Sequence, residues 1–262
     1  MNDITCFMLY YGRKEVAGEA VESFLRQTYP HKKLVIVNTH PDPVWFEKEH
    51  SNIEVHNLKP DTFENLNEKH NYAFNQVKTK WFCPWDSDDI WLPGHLENLV
   101  KNIPNVVLNE LPMKIGIPLT LYSQDNEIVK VGWQMWADCI FEKPEGLQCR
   151  TDTHINCDRD IVWHHQWNRY WLRIKDYSPS FIFRRFTDKR NASMVVGKNA
   201  LDYAKRLRDR MNDTSIKEPL EPHWDRDYIK DADAFMGLVR ESLFHSKYVL
   251  HKTNKNELQP VG

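Results

Sequence analysis

The chain has 262 residues, 41% of them hydrophobic, which suits one large domain with a real core or one domain with a small appendage. Charged residues make up 27% and the formal net charge is −2, so the bulk composition carries no nucleic-acid footprint, although it leaves room for a local basic patch. No apolar run reaches the roughly 18 residues that a membrane-spanning helix needs.

The opening MNDITCFMLYYGRKE lacks a basic leader and has only a short apolar stretch, so it reads as a first strand and not as a signal peptide. Cys6, Cys83, Cys139, Cys149 and Cys157 are odd in number and show no C-x-x-C spacing. That pattern points to free thiols packed in or near the core, in a reducing compartment, and so to the cytoplasm.

In chain order, ITCFMLYY (Ile4–Tyr11) predicts a buried strand. Val16, Ala20, Val21, Phe24 and Leu25 then fall at helical spacing, with Pro30 as breaker. Leu34–Val37 is a second buried strand, so the chain opens as βαβ and predicts a parallel sheet. Ile53–Leu58 is a third strand. A helix follows, with Phe63, Leu66, His70, Ala73, Phe74 and Val77 on one face. WFCPW is the fourth strand, although Pro84 weakens a central position for it. A short helix starts after Pro93. Pro118–Trp136 predicts a hairpin turning near Gln124–Asn126, Ser180–Phe186 a strand, and 198–213 and 231–244 two helices. The fold class is α/β, a Rossmann-like, mostly parallel central sheet flanked by helices. The expected division is 1–218 as the main domain, with halves 1–105 and 106–218, and 219–262 as a C-terminal helical extension beginning at the Pro219–Pro222 joint.

The fourth strand ends in WDSDDIWLP, which places Asp86, Asp88 and Asp89 within four residues. Like charges so close repel one another and are costly to desolvate. In open α/β sheets ligands bind at the carboxyl ends of strands, and the cluster lies at such an end. A hard cation sharing carboxylate and phosphate oxygens relieves the crowding; an acidic cap before the helix at LPGHLENL is the plainer alternative.

Several motifs together resemble the family-two, GT-A-fold glycosyltransferases that use nucleotide sugars with inversion. The helix ends with Ser23, Leu25, Gln27, Thr28 and Tyr29 in the family's S-x-L-x-Q-T-Y pattern, the next strand ends at Asn38 where the family has Asp, and KHNYAF precedes WDSDDIWLP. The resemblance is dense over Ile4–Leu99, looser through Asp152–Ser193, and absent from the last sixty or so residues. It implies a GT-A fold and transfer of a hexosyl or pentosyl group, with Mn²⁺ or Mg²⁺ held by Asp88 and Asp86 and Asp89 orienting the loop. It also implies nucleotide contacts from Tyr10, Tyr11, Arg13, Asn38, Lys69 and Asn71, with His70 beside them, and a diphosphate clamp from Arg184, Arg185, Lys189 and Arg190. Ordinary core packing for the tyrosines and a solvated helix face for Lys69 stand as the structural alternatives.

In the acidic pair that the family places on the acceptor side, Asp158 stands as general base and Asp160 as its neighbour, with Cys157 where a first acid is common. His154, Cys157, His164 and His165 match no standard zinc spacing. The implied partner is a nucleotide-sugar donor. The acceptor is a glycan, a protein, a lipid-linked sugar or a hydroxylated base in nucleic acid, the last kept open by RRFTDKR and by the basic run Lys205–Arg210. A non-catalytic sugar- or nucleotide-binding module is the alternative, supported by the Asn38 and Cys157 departures.

Overall fold

A computed structural model describes residues 2–44, 46, 50–103, 112–133, 136–149, 171–174, 178–186, 220–245, 250–252 and 258–260. Strands β1 (Ile4–Tyr10), β2 (Lys32–Asn38), β3 (Ile53–Asn57) and β4 (Trp81–Pro84) alternate with helices α1 (Lys14–Leu25) and α2 (Leu66–Gln76), as the βαβ pattern predicts. β5 (Ile90–Trp91), α3 (His95–Val100), β6 (Lys114–Gly116), β7 (Leu119–Gln124), β8 (Glu127–Trp133) and β9 (Cys139–Glu142) follow. The chain continues through β10 (Trp171–Arg173), β11 (Phe181–Arg185), a long helix α4 (Tyr228–His245), β12 (Leu250–Lys252) and β13 (Leu258–Pro260).

The main sheet runs β10-β6-β9-β4-β1-β2-β3. β1 is parallel to both β2 and β4, β2 is parallel to β3, and β9 is antiparallel to β4 and to β6. The chain therefore walks outward from β1 to β3 and returns to β4 on the other side of β1. The carboxyl ends of β1 and β4 meet at that reversal, the place where open α/β sheets hold ligands.

Alternation along β1 sends Ile4, Cys6, Met8 and Tyr10 to one face, where Ala17, Ala20, Val21 and Phe24 of α1 cover them. Phe7 goes to the other face, against Ala73, Phe74 and Val77 at α2. Both faces are thus buried, as a parallel sheet requires. Pro84 is tolerated in this central strand because it is the last residue. β9 pairs only as far as Phe82, and the bond to β1 is taken over by the Trp85 amide, which donates to Phe7 O at 2.8 Å.

The second sheet runs β13-β12-β8-β7-β11-β5. Its hairpin β7–β8 turns at Asp125 and Asn126, both at positive φ (49° and 69°), the twist that two-residue hairpins favour. Tyr228, Ala232, Phe235 and Val239 form a helical stripe on α4 that packs on Ile90, Leu121, Ile128, Val131 and Ile182. The C-terminal segment therefore carries two short strands as well as the expected helix. The helix predicted over 198–213 lies outside the described residues. Cys6, Cys83, Cys139 and Cys149 are buried free thiols, as expected; Cys157 lies outside the described residues. None of the described helices is long and apolar enough to cross a membrane.

The helix end of the sequence motif is a set of staples. Gln27 is buried; its amide nitrogen, Nε2, donates to Ser23 O, Trp91 O and Leu92 O, and its Oε1 accepts from Leu96 N at 3.0 Å. Thr28 N donates to Pro93 O at 2.9 Å and Tyr29 Oη to Asn2 O at 2.6 Å. Trp85 stacks on Trp91 with centroids 4.0 Å apart and donates from Nε1 to Ala20 O at 2.8 Å. These contacts fix α1 against the stretch that carries the acids. Trp85→Ala removes a fully buried ring and is expected to lower stability by about 3–5 kcal/mol, read as a fall in the urea midpoint at unchanged slope.

Candidate active site

The loops after β1 and β4 face each other across the reversal, and Arg13 joins them. Its Nη1 lies 3.1 Å from Asp88 Oδ2 and its Nη2 donates to Ser87 Oγ at 3.0 Å. Gly12 makes the approach possible. It sits at φ +64°, and a Cβ there would come within 2.6 Å of the His40 ring. Asp86 is half-buried in the same loop.

The three acids are treated differently. Asp89 is 1% exposed and accepts from the Arg184 backbone N–H at 2.8 Å. Burial, then the charges of Asp88 and Asp86, push its carboxyl well above the usual range, against the pull of that N–H and of Arg185. Asp88 has Arg13. Arg185 is half-buried on the far side, with its guanidinium 3.5 Å from the Phe183 ring centre and Nη1 donating to Arg184 O. Burial draws the Arg185 guanidinium down, while the charges of Asp89, Asp88 and Asp86 draw it back up.

Arg184 is 0% exposed and committed to the core. Nε donates to Asp88 O at 2.7 Å, Nη2 to Val16 O at 3.0 Å, and Nη1 to Tyr228 Oη at 3.0 Å and to Glu19 Oε2. Tyr228 Oη in turn donates to Glu19 Oε1 at 2.6 Å.

Other predicted nucleotide residues are also engaged by the protein. Asn38 is fully buried; its Nδ2 donates to Asp42 O and Asn57 Oδ1 and its Oδ1 accepts from His40 N, so it braces the loop after β2. Asn71 pairs with the backbone of Cys149 through Nδ2 and Oδ1. His70 Nδ1 lies 2.9 Å from Leu66 O. Tyr10 is buried in the α1-side core, and burial raises its phenol; Tyr11 lays its ring edge-on to His40 at 5.3 Å. Asp158, Asp160, Lys189 and Arg190, with His154, Cys157, His164 and His165, lie outside the described residues. Among the described residues no three His, Cys, Asp or Glu side chains converge on a metal position. Glu19, Tyr228 and Thr39 were not singled out by the sequence; an acid on the buried stripe of α1 was the available signal for Glu19.

Lys69 is 2% exposed and points under the β1 loop, with Nζ donating to Tyr10 O at 2.9 Å and Thr39 Oγ1 at 2.8 Å. Burial, then the charge of Arg13, lower its ammonium to about 7. Between that value and the ordinary 10.5 the unfolded chain holds a proton that the folded chain has lost. This group therefore adds stability as pH rises through that window and removes it as pH falls towards 7. The stability of the wild type minus that of Lys69→Met is expected to climb over this interval, with a limiting slope of about 1.4 kcal/mol per pH unit. Urea titrations at a series of pH values measure it, and a flat difference would contradict the assignment.

Residues 5–106 match the model of glycosyl transferase family 2. Among solved structures, the chain is similar to residues 1–349 of TarS from S. aureus at 13% identity and a TM-score of 0.52, covering 70% of this chain and 60% of that one. The same segment in complex with UDP-GlcNAc gives 12% identity and a TM-score of 0.54, over 80% of this chain and 66% of that one. In complex with UDP it gives 13% identity and a TM-score of 0.53, over 99% and 96%. The first of these alignments thus leaves about two fifths of the TarS segment without a counterpart. No curated protein matches the sequence at a significant level. Residues 5–106 are thus similar to glycosyl transferase family 2, and the architecture is the GT-A fold.

Proposed function

We propose that the protein is an inverting glycosyltransferase that takes a sugar from a nucleotide-diphosphate donor bound at the β1–β4 reversal. The observation that carries the reading is the Arg13 bridge to Asp88 and Ser87, which brings a cation and a carboxylate together at the ligand end of the sheet. The family match over residues 5–106 and the fold of a protein solved with UDP and UDP-GlcNAc support it.

Asp86 and Asp88 fit a hard divalent ion: both are carboxylates, and a diphosphate provides the further oxygens that two protein ligands leave open. Asp89, buried and accepting from Arg184 N, serves the loop and not the ion. Asp86 and Asp88 would hold Mn²⁺ or Mg²⁺, which would supply positive charge to the departing diphosphate. Arg185, which feels the charge of the acids, helps to hold that diphosphate, as does Arg190; Arg184 acts as a strut. Lys69 acts through the backbone, setting Tyr10 O and the β1 loop against which the nucleoside rests.

Asp158 is the general base. It takes the proton of the acceptor hydroxyl as that oxygen bonds to the anomeric carbon, and the bond from that carbon to the diphosphate oxygen breaks with the electron pair leaving on the nucleotide. Asp160 shapes the same side. The acceptor is a hydroxyl of a glycan, protein, lipid-linked sugar or hydroxylated nucleic-acid base.

A thermal-shift series with UDP, GDP, CDP and dTDP, each with and without Mn²⁺, is expected to show a metal-dependent rise with one nucleotide, UDP being first to test. Asp88→Ala is expected to abolish the rise, and a full rise in that variant would remove the metal role. Asp158→Asn is expected to keep nucleotide binding and to lose transfer by at least about a hundredfold; turnover at the wild-type rate would place the base elsewhere.

A further inference from the structure

The segment leading into α4 crosses α1 at Gly18. His223 N donates to Gly18 O at 3.3 Å, and a Cβ on Gly18 would strike the His223 ring and Glu221 O. Leu220 enters the α1-side core, and Arg26 lies 4.8 Å over the Trp224 ring. One residue beyond Gly18, Glu19 meets Tyr228 at the start of α4 and Arg184 at the end of β11. Arg184 in turn holds the acid loop at two points, Asp88 O through Nε and Asp89 Oδ1 through its backbone N–H.

We infer that α4 is a positioning element for the acid loop, with Tyr228 as the positioning residue acting through Glu19 and Arg184. The chain of contacts is short and direct: Tyr228 to Glu19 and Arg184, and Arg184 to Asp88 and Asp89. The guanidinium is planar and its donors point in fixed directions. Tyr228 and Glu19 occupy one edge of that fork, so they set the direction of the Nε bond on Asp88 O. Loss of the Tyr228 hydroxyl leaves a Glu19 oxygen short of a donor and removes one of the two acceptors at Nη1, which loosens the fork although Glu19, Val16 and Asp88 still hold it. The support of the Asp88 carbonyl and the Asp89 carboxyl is then weakened, while the apolar stripe of α4 still holds the helix on its sheet.

The proposal depends on the donor-site reading only for what the loop does, and its primary test needs no nucleotide. Hydrogen exchange is followed by mass spectrometry in wild type, in Tyr228→Phe and in Val239→Ala, which loosens the apolar stripe of the same helix without touching the strut. Tyr228→Phe is expected to speed exchange in peptides covering 85–91 and at Arg184 by about tenfold, with peptides of β2 unchanged, because opening is local. Val239→Ala is expected to leave 85–91 at the wild-type rate. Equal acceleration in both variants, or none in Tyr228→Phe, overturns the inference. Gly18→Ala, which lifts the crossing segment from α1, provides a second variant and is expected to act on 85–91 as Tyr228→Phe does. As a further arm, the affinity for UDP with Mn²⁺, where the wild type binds it, is expected to fall about tenfold in Tyr228→Phe and to hold in Val239→Ala. Failure of the wild type to bind any nucleotide would count against the donor reading and leave the exchange result as the judge of the strut.

Discussion

Three carboxylates at the end of a buried strand set the terms for everything around them. Two unit charges about 4 Å apart near a protein surface repel by roughly 4 kcal/mol, so the chain has to answer each acid separately. Asp89 is taken out of water, given a backbone N–H, and driven towards its neutral form. Asp88 is given the Arg13 guanidinium. Arg185 feels the charge of all three. The β1 loop, the β4 loop and the end of β11 converge because each brings part of this answer. The glycine that lets the β1 loop turn and the glutamine that pins α1 to β5 are needed to hold them there.

Arg184 carries a different burden. A guanidinium with no exposure is tolerable only when its charge and its donors are matched, and Glu19, Tyr228, Val16 and Asp88 match them. Breaking such a pair from one side strands a buried charge and costs about 3–5 kcal/mol. The two adjacent arginines of β11 thus divide the work. Successive residues on a strand point to opposite faces, so one enters the core and the other is only half-buried, over the Phe183 ring.

That division explains what could and could not be read from the sequence. The alternation of apolar runs with helical stripes gave the βαβ order and the position of the acids at a strand end, because burial of both sheet faces leaves long apolar runs. The hairpin followed from Gln124–Asn126, where Asp125 and Asn126 tolerate positive φ. Within RRF, however, nothing marks which arginine turns inward, since the residues before them, Phe181 and Ile182, are both buried and break the alternation. Glu19 sits among apolar neighbours on α1 yet looks like any solvated helix acid until Arg184 is brought to it by residues 165 positions later. Asn38 and Asn71 were legible as polar residues at strand and helix positions near a ligand, but whether an amide faces a ligand or a backbone depends on loop geometry. Here Asn38 braces residues 38–44 and Asn71 holds Cys149. The Asn38 departure from the family pattern therefore has a structural account and lends little weight to a non-catalytic module.

The same electrostatics bear on how a donor would be admitted. Arg184 is balanced by Glu19, and Asp89 is held towards neutrality, which leaves the charges of Asp86 and Asp88 to be offset by those of Arg13 and Arg185, with Lys69 depressed towards its neutral form beneath the β1 loop. Before any ligand arrives the cleft is close to charge balance. A nucleotide diphosphate adds negative charge to a balanced site that already contains two acids, and that addition is unfavourable in a partly buried cleft unless a cation comes with it. Arg13 and Arg185 cannot meet the whole demand while they also face the acids. On the donor reading, the carboxylates left beside the phosphates are therefore what makes binding of nucleotide and divalent ion cooperative, and the crowding that is costly in the free protein becomes the source of that coupling.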